Sequence, residues 1–148
     1  MSDLSIRAWL TPAPPTIGPK ESLKRALALL QTSKAAELLV MADGRLVGML
    51  NERDIWEYCP TSALLLDDKQ AEELLEQFRV GGVMALHPPV LTPDTLLPDA
   101  AQLLARSRRA GLAVVADGRP VGFLTQASVL QAFAILLGEN GSLVKPEG

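Results

Sequence analysis

The sequence holds one cysteine, Cys59, and one histidine, His87. A single thiol excludes an internal disulfide and a cysteine-rich zinc site. A single imidazole excludes multi-histidine metal centres and two-histidine catalysis. Any Ser/His/Asp or Cys/His pair would have to use His87, inside the loop-like run His87-Pro88-Pro89. Positive charge is not in excess: 14 Lys and Arg stand against 17 Asp and Glu, a formal charge of −3, where a nucleic-acid binder advertises a basic face. No apolar run nears the roughly 18–20 residues that cross a bilayer; the longest candidate, Ala132 to Leu137, is far too short. Met1-Ser2-Asp3-Leu4-Ser5 has no basic segment followed by an apolar stretch, which predicts no signal peptide. These absences lead to the expectation of a reduced, cytoplasmic protein. What is present is 48% hydrophobic and 21% charged residues, a balance that supports a packed core rather than disorder.

The chain is written twice. With a fixed offset of 74 residues and no gap, Ile6 to Ile55 lies over Val80 to Val129, and 18 of 50 aligned positions are identical. Pro14-Pro15 matches Pro88-Pro89, Leu29-Leu30 matches Leu103-Leu104, and Ala42-Asp43-Gly44-Arg45 matches Ala116-Asp117-Gly118-Arg119. A repeat of this kind points to one structural unit used twice.

Each copy reads as strand, helix, strand, strand, helix. A short extended segment, Pro15 to Ile17 or Pro89 to Thr92, precedes a turn at Pro19 or Pro93. Ser22 and Thr95 are the expected N-caps of the next helix, because a short hydroxyl satisfies an orphan N–H. Leu23, Ala26, Leu27 and Leu30 fall at helical spacing, as do Leu97, Ala100, Ala101 and Leu104. Pro98 falls in the first turn, where its missing N–H costs little. Two apolar runs then flank Asp43-Gly44 or Asp117-Gly118, the signal of a type I′ hairpin; these aspartates are turn residues, not an acid–base pair. Pro120 sits where it can begin a strand without losing an inner ladder bond. Second helices are expected over about 52–58 and 126–137. Between the copies, Asp67 to Phe78 reads as a linker helix with Ala71, Leu74, Leu75 and Phe78 on one face. The expected division is 1–59 and 80–138 for the repeats, 60–79 for the linker and 139–148 for a frayed tail.

These motifs resemble the cystathionine β-synthase (CBS) domain family, as a tandem pair. In the second copy the resemblance is carried by Val80-Gly-Gly-Val-Met84, Pro93-Asp-Thr-Leu-Leu-Pro-Asp-Ala100, Leu112-Ala-Val-Val-Ala-Asp-Gly-Arg-Pro-Val-Gly122 and Phe123-Leu-Thr125. The first copy offers Pro19-Lys-Glu-Ser-Leu-Lys-Arg-Ala26, Leu38-Leu-Val-Met-Ala-Asp-Gly-Arg-Leu-Val-Gly48 and Met49-Leu-Asn-Glu-Arg-Asp54-Ile55. The acidic linker is also similar to small CBS proteins of the acetoin-utilisation type. The resemblance implies a mixed α/β (α+β) fold. Two β-α-β-β-α repeats would pack by their sheets about a pseudo-twofold axis, a Bateman module, with two clefts between them. Family members bind AMP, ATP or S-adenosylmethionine there and pass the occupancy to a partner; pairs often dimerise.

The resemblance also implies where ligand chemistry would sit. The family motif after the last strand is Gly-x-x-Thr/Ser-x-x-Asp, with hydroxyl and carboxylate facing a ribose or phosphate. A carboxylate can accept both ribose hydroxyls, and a helix N-terminus favours anions. Each copy keeps half of the motif: Asn51 with Asp54 in the first, Thr125 with Ser128 in the second. Asn51 and Thr125 also read as plain helix caps. By family position the adenine would be cradled by Leu10, Thr16 and Ile17 in one copy and by Met84, Val90 and Leu91 in the other; all six read equally as core or strand packing. Where phosphate-binding members carry basic residues before the first hairpin strand, this chain has Ala36-Glu37 and Ala110-Gly111. Arg108 and Arg109 stand close by and could compensate, or, with Arg106, form a solvated helix C-terminus. A ligand of little negative charge is therefore expected in preference to ATP.

The expectation is a non-catalytic regulatory module that senses an adenosine-containing ligand, with no required cofactor, no metal site and no nucleic-acid or membrane partner. No nucleophile, base and orienter constellation is visible. The competing reading is a structural or interaction module with ligand-free clefts. The pair uses up the sequence, so a target protein would act in trans. Cys59 reads as a packed helix-end residue, His87 as a turn residue, and Trp9 and Trp56 as packing or interface aromatics. Ser128 to Leu137 leaves almost no polar face, which predicts a homodimer contact.

Overall fold

In both copies the helix that follows the proline turn forms where the periodicity places it. The computed structural model describes residues 4–59 and 66–139. Helix α1 spans Leu23–Ser33, with strands β1 at Thr16–Ile17, β2 at Leu38–Ala42 and β3 at Arg45–Leu50, then helix α2 at Glu52–Tyr58. The linker helix α3 covers Asp68–Gln77 and strand β4 is Ala85–Leu86. The second copy supplies helix α4 at Leu97–Ser107, strands β5 at Gly111–Ala116 and β6 at Arg119–Thr125, and helix α5 at Gln126–Glu139. The expected tail beyond 139 and the linker stretch 60–65 lie outside the described residues. No described helix is long and apolar enough to cross a membrane.

The hairpins follow their turn chemistry. Asp43 and Gly44 take φ of 51° and 76°, Asp117 and Gly118 of 53° and 77°, the positive pair that a type I′ turn requires. Each hairpin carries an irregularity at the same place, between Val40 and Met41 and between Val114 and Val115. The helix faces are buried as spaced: Leu23, Ala26 and Leu30 in one copy, Leu97, Ala100 and Leu104 in the other. Ser22 caps α1, accepting the Arg25 N–H at 3.1 Å. Thr95 does not cap α4. The N-cap is Leu96, and Thr95 Oγ1 instead accepts the Thr92 N–H at 3.0 Å to close the preceding turn. Pro98 removes one orphan donor of α4, and the Leu4 carbonyl takes the Leu97 N–H at 2.7 Å, so this helix starts without a hydroxyl cap.

The segment that precedes each repeat serves the other repeat. The Phe78 carbonyl receives the Leu23 N–H at 3.0 Å, the counterpart of the Leu4–Leu97 bond. Bridges Ser22–Arg79 and Ser5–Leu96 are likewise equivalent under the 74-residue offset. Strand β4 joins the first sheet, in the order β1-β2-β3-β4. In the second copy Leu91 bridges Val114 in parallel and Thr11 bridges Phe123 antiparallel, the same pattern in abbreviated form. Val80 is therefore fully buried among first-repeat residues and Ile6 among second-repeat residues. Burying each such side chain stabilises the pair by about 1.5–3 kcal/mol. The packing units thus exchange the short segments that lie ahead of them in sequence.

A third cluster joins the sheets. Leu39 and Met49 from the first copy meet Ala113 and Phe123 from the second, and these four are offset equivalents in pairs. This seam makes the two halves a pseudo-twofold pair, with β2-β3 facing β5-β6.

Candidate functional site: an ion cluster across the repeat seam

Asn51 and Asp54 begin α2, immediately after β3. They form a capping box: Asn51 Oδ1 accepts the Asp54 N–H at 2.8 Å and Asp54 Oδ2 accepts the Asn51 N–H at 2.9 Å. On the other copy, α4 ends in a left-handed residue, Arg108, with φ of 57°. Ser107 Oγ accepts the Arg109 N–H at 3.1 Å, which fixes the start of the next segment. The Arg109 side chain then crosses the seam. Its Nη1 donates to Asp54 Oδ1 at 3.1 Å and its Nη2 to Asp54 Oδ2 at 2.9 Å. Nη2 also donates to Glu37 Oε2 at 2.7 Å, while Asn51 Nδ2 donates to Glu37 Oε1 at 3.0 Å.

The cluster is taken out of water. Side-chain exposure is 0% for Glu37, 12% for Arg109 and 17% for Asp54. Burial pushes the Glu37 carboxyl above its ordinary range, although Arg109 and the Asn51 amide pull the other way. Burial alone would lower the Arg109 value; its bonds to Asp54 and Glu37 outweigh that and hold the guanidinium charged. Arg109 Nε is buried with no partner among the described residues, an arrangement that costs free energy. The expectation of a solvated helix C-terminus holds for Arg106 and Arg108, which are exposed, and fails for Arg109. Two acids across the seam compete successfully with water for that guanidinium. The sequence offers Arg108 and Arg109 alike as compensation for Glu37; the structure pairs Arg109 with Glu37 and Asp54 and leaves Arg108 exposed.

The groove at this cluster encloses about 230 Å³ and is lined by Asn51, Arg53, Asp54, Glu57, Ser107, Arg108 and Arg109. Of the apolar residues expected to cradle an adenine, none lines it. Thr16 and Ile17 line a different groove of about 240 Å³ with Arg25, Leu29 and Met41. Leu91 is a core residue at 1% exposure, whereas Val90 is exposed. Leu10 and Met84 are half-buried and sit at equivalent places over glycines. A Cβ on Gly48 would lie 2.5 Å from the Met84 sulfur, and one on Gly122 would lie 3.3 Å from Leu10 Cβ. The Ala85 and Thr11 carbonyl oxygens lie 2.9 and 3.1 Å from the same two points, so backbone and side chain together crowd any larger residue at either position.

The second copy builds its own cap. Thr125 Oγ1 accepts the Ser128 N–H at 3.0 Å and donates to Ser128 Oγ at 3.0 Å. The counterparts of Asp54, Glu37 and Arg109 are Ser128, Gly111 and Ala35. Cys59 ends α2 half-buried, its thiol pushed up by burial. His87 is exposed in a left-handed bend, Trp9 packs against the second core, and Trp56 is exposed with its indole N–H on Glu52.

The family described as CBS domain matches residues 5–55 and 80–135. Among solved structures, the chain is similar to the CBS-pair protein CBSX2 from Arabidopsis thaliana, with 30% identity, a TM-score of 0.77, and coverage of 94% of this chain and 99% of that one. A structure of CBSX2 in complex with AMP matches at 30% identity and a TM-score of 0.67, covering 89% and 97% of the two chains. A putative acetoin utilization protein from Vibrio cholerae shares the fold, at 17% identity and a TM-score of 0.69, covering 97% and 100%. No curated protein matches. With both repeats matched and their sheets joined about the seam, the chain belongs to the CBS domain family, as a CBS pair.

Proposed function

We propose that this CBS pair is a non-catalytic regulatory module that senses an adenosine-containing ligand in the clefts between its repeats. The observation that carries this reading is Asp54: a carboxylate at a helix start, beside the seam, in a chain 30% identical to one solved with AMP. The ligand class is AMP, ATP or S-adenosylmethionine, and the cluster favours those of least negative charge. Glu37 and Asp54 lie side by side and hold Arg109, and Arg53 pairs with Glu57, so among the lining residues a phosphate would rely on the exposed Arg108. Calorimetric titration is the test. Adenosine or S-adenosylmethionine should bind more tightly than ATP; micromolar ATP with no S-adenosylmethionine binding would reverse the preference. A second reading, a protein-interaction module whose clefts take no ligand, draws support from the half-motifs and from the engagement of Asp54 by Arg109. It predicts that no nucleotide raises the melting temperature, whereas ligand binding to the folded state must raise it.

The output of such a module is a target protein in trans, in a reducing, cytoplasmic compartment, without nucleic acid or membrane. The module itself works as a homodimer through α5. Leu130 and Ile135 on that helix are 69% and 48% exposed, beside a groove of about 390 Å³ lined by Ala101, Leu104, Val129 and Phe133. Light scattering at micromolar concentration should give twice the chain mass, and Leu130→Glu with Ile135→Glu should halve it; a monomeric wild type sinks the dimer.

A further inference from the structure

We propose that Arg109 is the specificity-determining residue of the first cleft: a resident guanidinium that closes Asp54 to a ribose and must leave before a nucleoside enters. The inference rests on reading that cleft as an adenosine site. A ribose diol offers two O–H donors to one carboxylate and needs both of its oxygens. Arg109 takes both, at 3.1 and 2.9 Å, and Oδ2 also receives the Asn51 N–H. The same guanidinium is anchored a second time at Glu37, whose side chain has no exposure to solvent. Its release strands a buried carboxylate on a single Asn51 amide bond, so the occupant is held against displacement. The geometry is confined to one side of the seam. Ala35 and Gly111 stand at the matching positions of the other copy, so that side has neither the occupant nor its anchor.

Arg109→Ala alone would leave two buried acids and endanger the fold. Arg109→Met with Glu37→Gln removes the cation together with its deepest anchor and leaves Asp54 in its capping box. In calorimetric titrations of the full chain with adenosine, this double variant should bind at least tenfold more tightly than wild type. Adding Asp54→Asn should abolish the gain. Equal affinity in wild type and double variant overturns the role of Arg109 and leaves the adenosine-binding reading standing. Absence of binding in both overturns the two together.

Discussion

Glu37 stands just ahead of β2 in the first repeat and takes the Asn51 amide across the hairpin; Gly111 opens β5 in the second and pairs with Thr125. A Cβ at position 111 would fall 2.3 Å from Phe123 Cε2. The aromatic ring thus occupies the space that a side chain at position 111 would need. In the first copy the carboxylate of Glu37 stands at this position, paired with Arg109 from the other copy. The two repeats agree wherever the backbone must do the same thing: the Asp-Gly turns, the left-handed residues Lys34 and Arg108, the glycines under Met84 and Leu10. They part at the cleft positions, which the scaffold leaves free. Duplication here has preserved architecture and divided the chemistry.

Removing the polar groups of each cleft in turn sharpens that comparison. Arg109→Ala leaves Glu37 and Asp54 without their cation, and breaking a buried pair in this way should destabilise the chain by about 3 kcal/mol. Ser128→Ala on the other side deletes one neutral hydrogen bond, with an expected loss of about 1 kcal/mol. Urea denaturation midpoints of the two variants measure the gap. Equal losses would mean that the guanidinium contributes nothing beyond an ordinary polar contact, and the asymmetry between the clefts would be one of appearance.

The elements were legible in the sequence because their signals are local. Asp-Gly between apolar runs dictates its own turn, and Leu23, Ala26 and Leu30 mark their face by spacing alone. The cap of α4 was displaced by one residue because its first N–H is satisfied by Leu4, more than ninety positions away in sequence. The exchange of Ile6 and Val80 between the repeats was hidden for the same reason. Pairing across such separations leaves no periodic trace. Asn51 with Asp54 and Thr125 with Ser128 form the two helix caps that the cap reading of Asn51 and Thr125 expects. Arg109 reads locally like Arg106 and Arg108. What separates them is the partner facing each one, and that is set by the seam.

The smallest effect expected concerns pH, and it isolates Glu37. Desolvation raises its carboxyl above the ordinary value of 4.5, while Arg109 and Asn51 pull it down and Asp54 pushes it up. In the folded chain Glu37 therefore holds its proton to higher pH than in the unfolded chain. Across that window the folded state binds more protons, so the contribution of Glu37 to stability falls as pH rises from about 4.5 through the raised value. Glu37→Gln has no such titration. The melting temperature of wild type minus that of Glu37→Gln should be most favourable to wild type at the acid end and decline as pH rises. Subtracting the variant isolates Glu37, the acid that stands where the second repeat has Gly111. A difference that is flat, or that grows with pH, would mean that Arg109 more than offsets the desolvation, and the cluster would then be a net stabiliser of the ionised acid rather than a site that tolerates it.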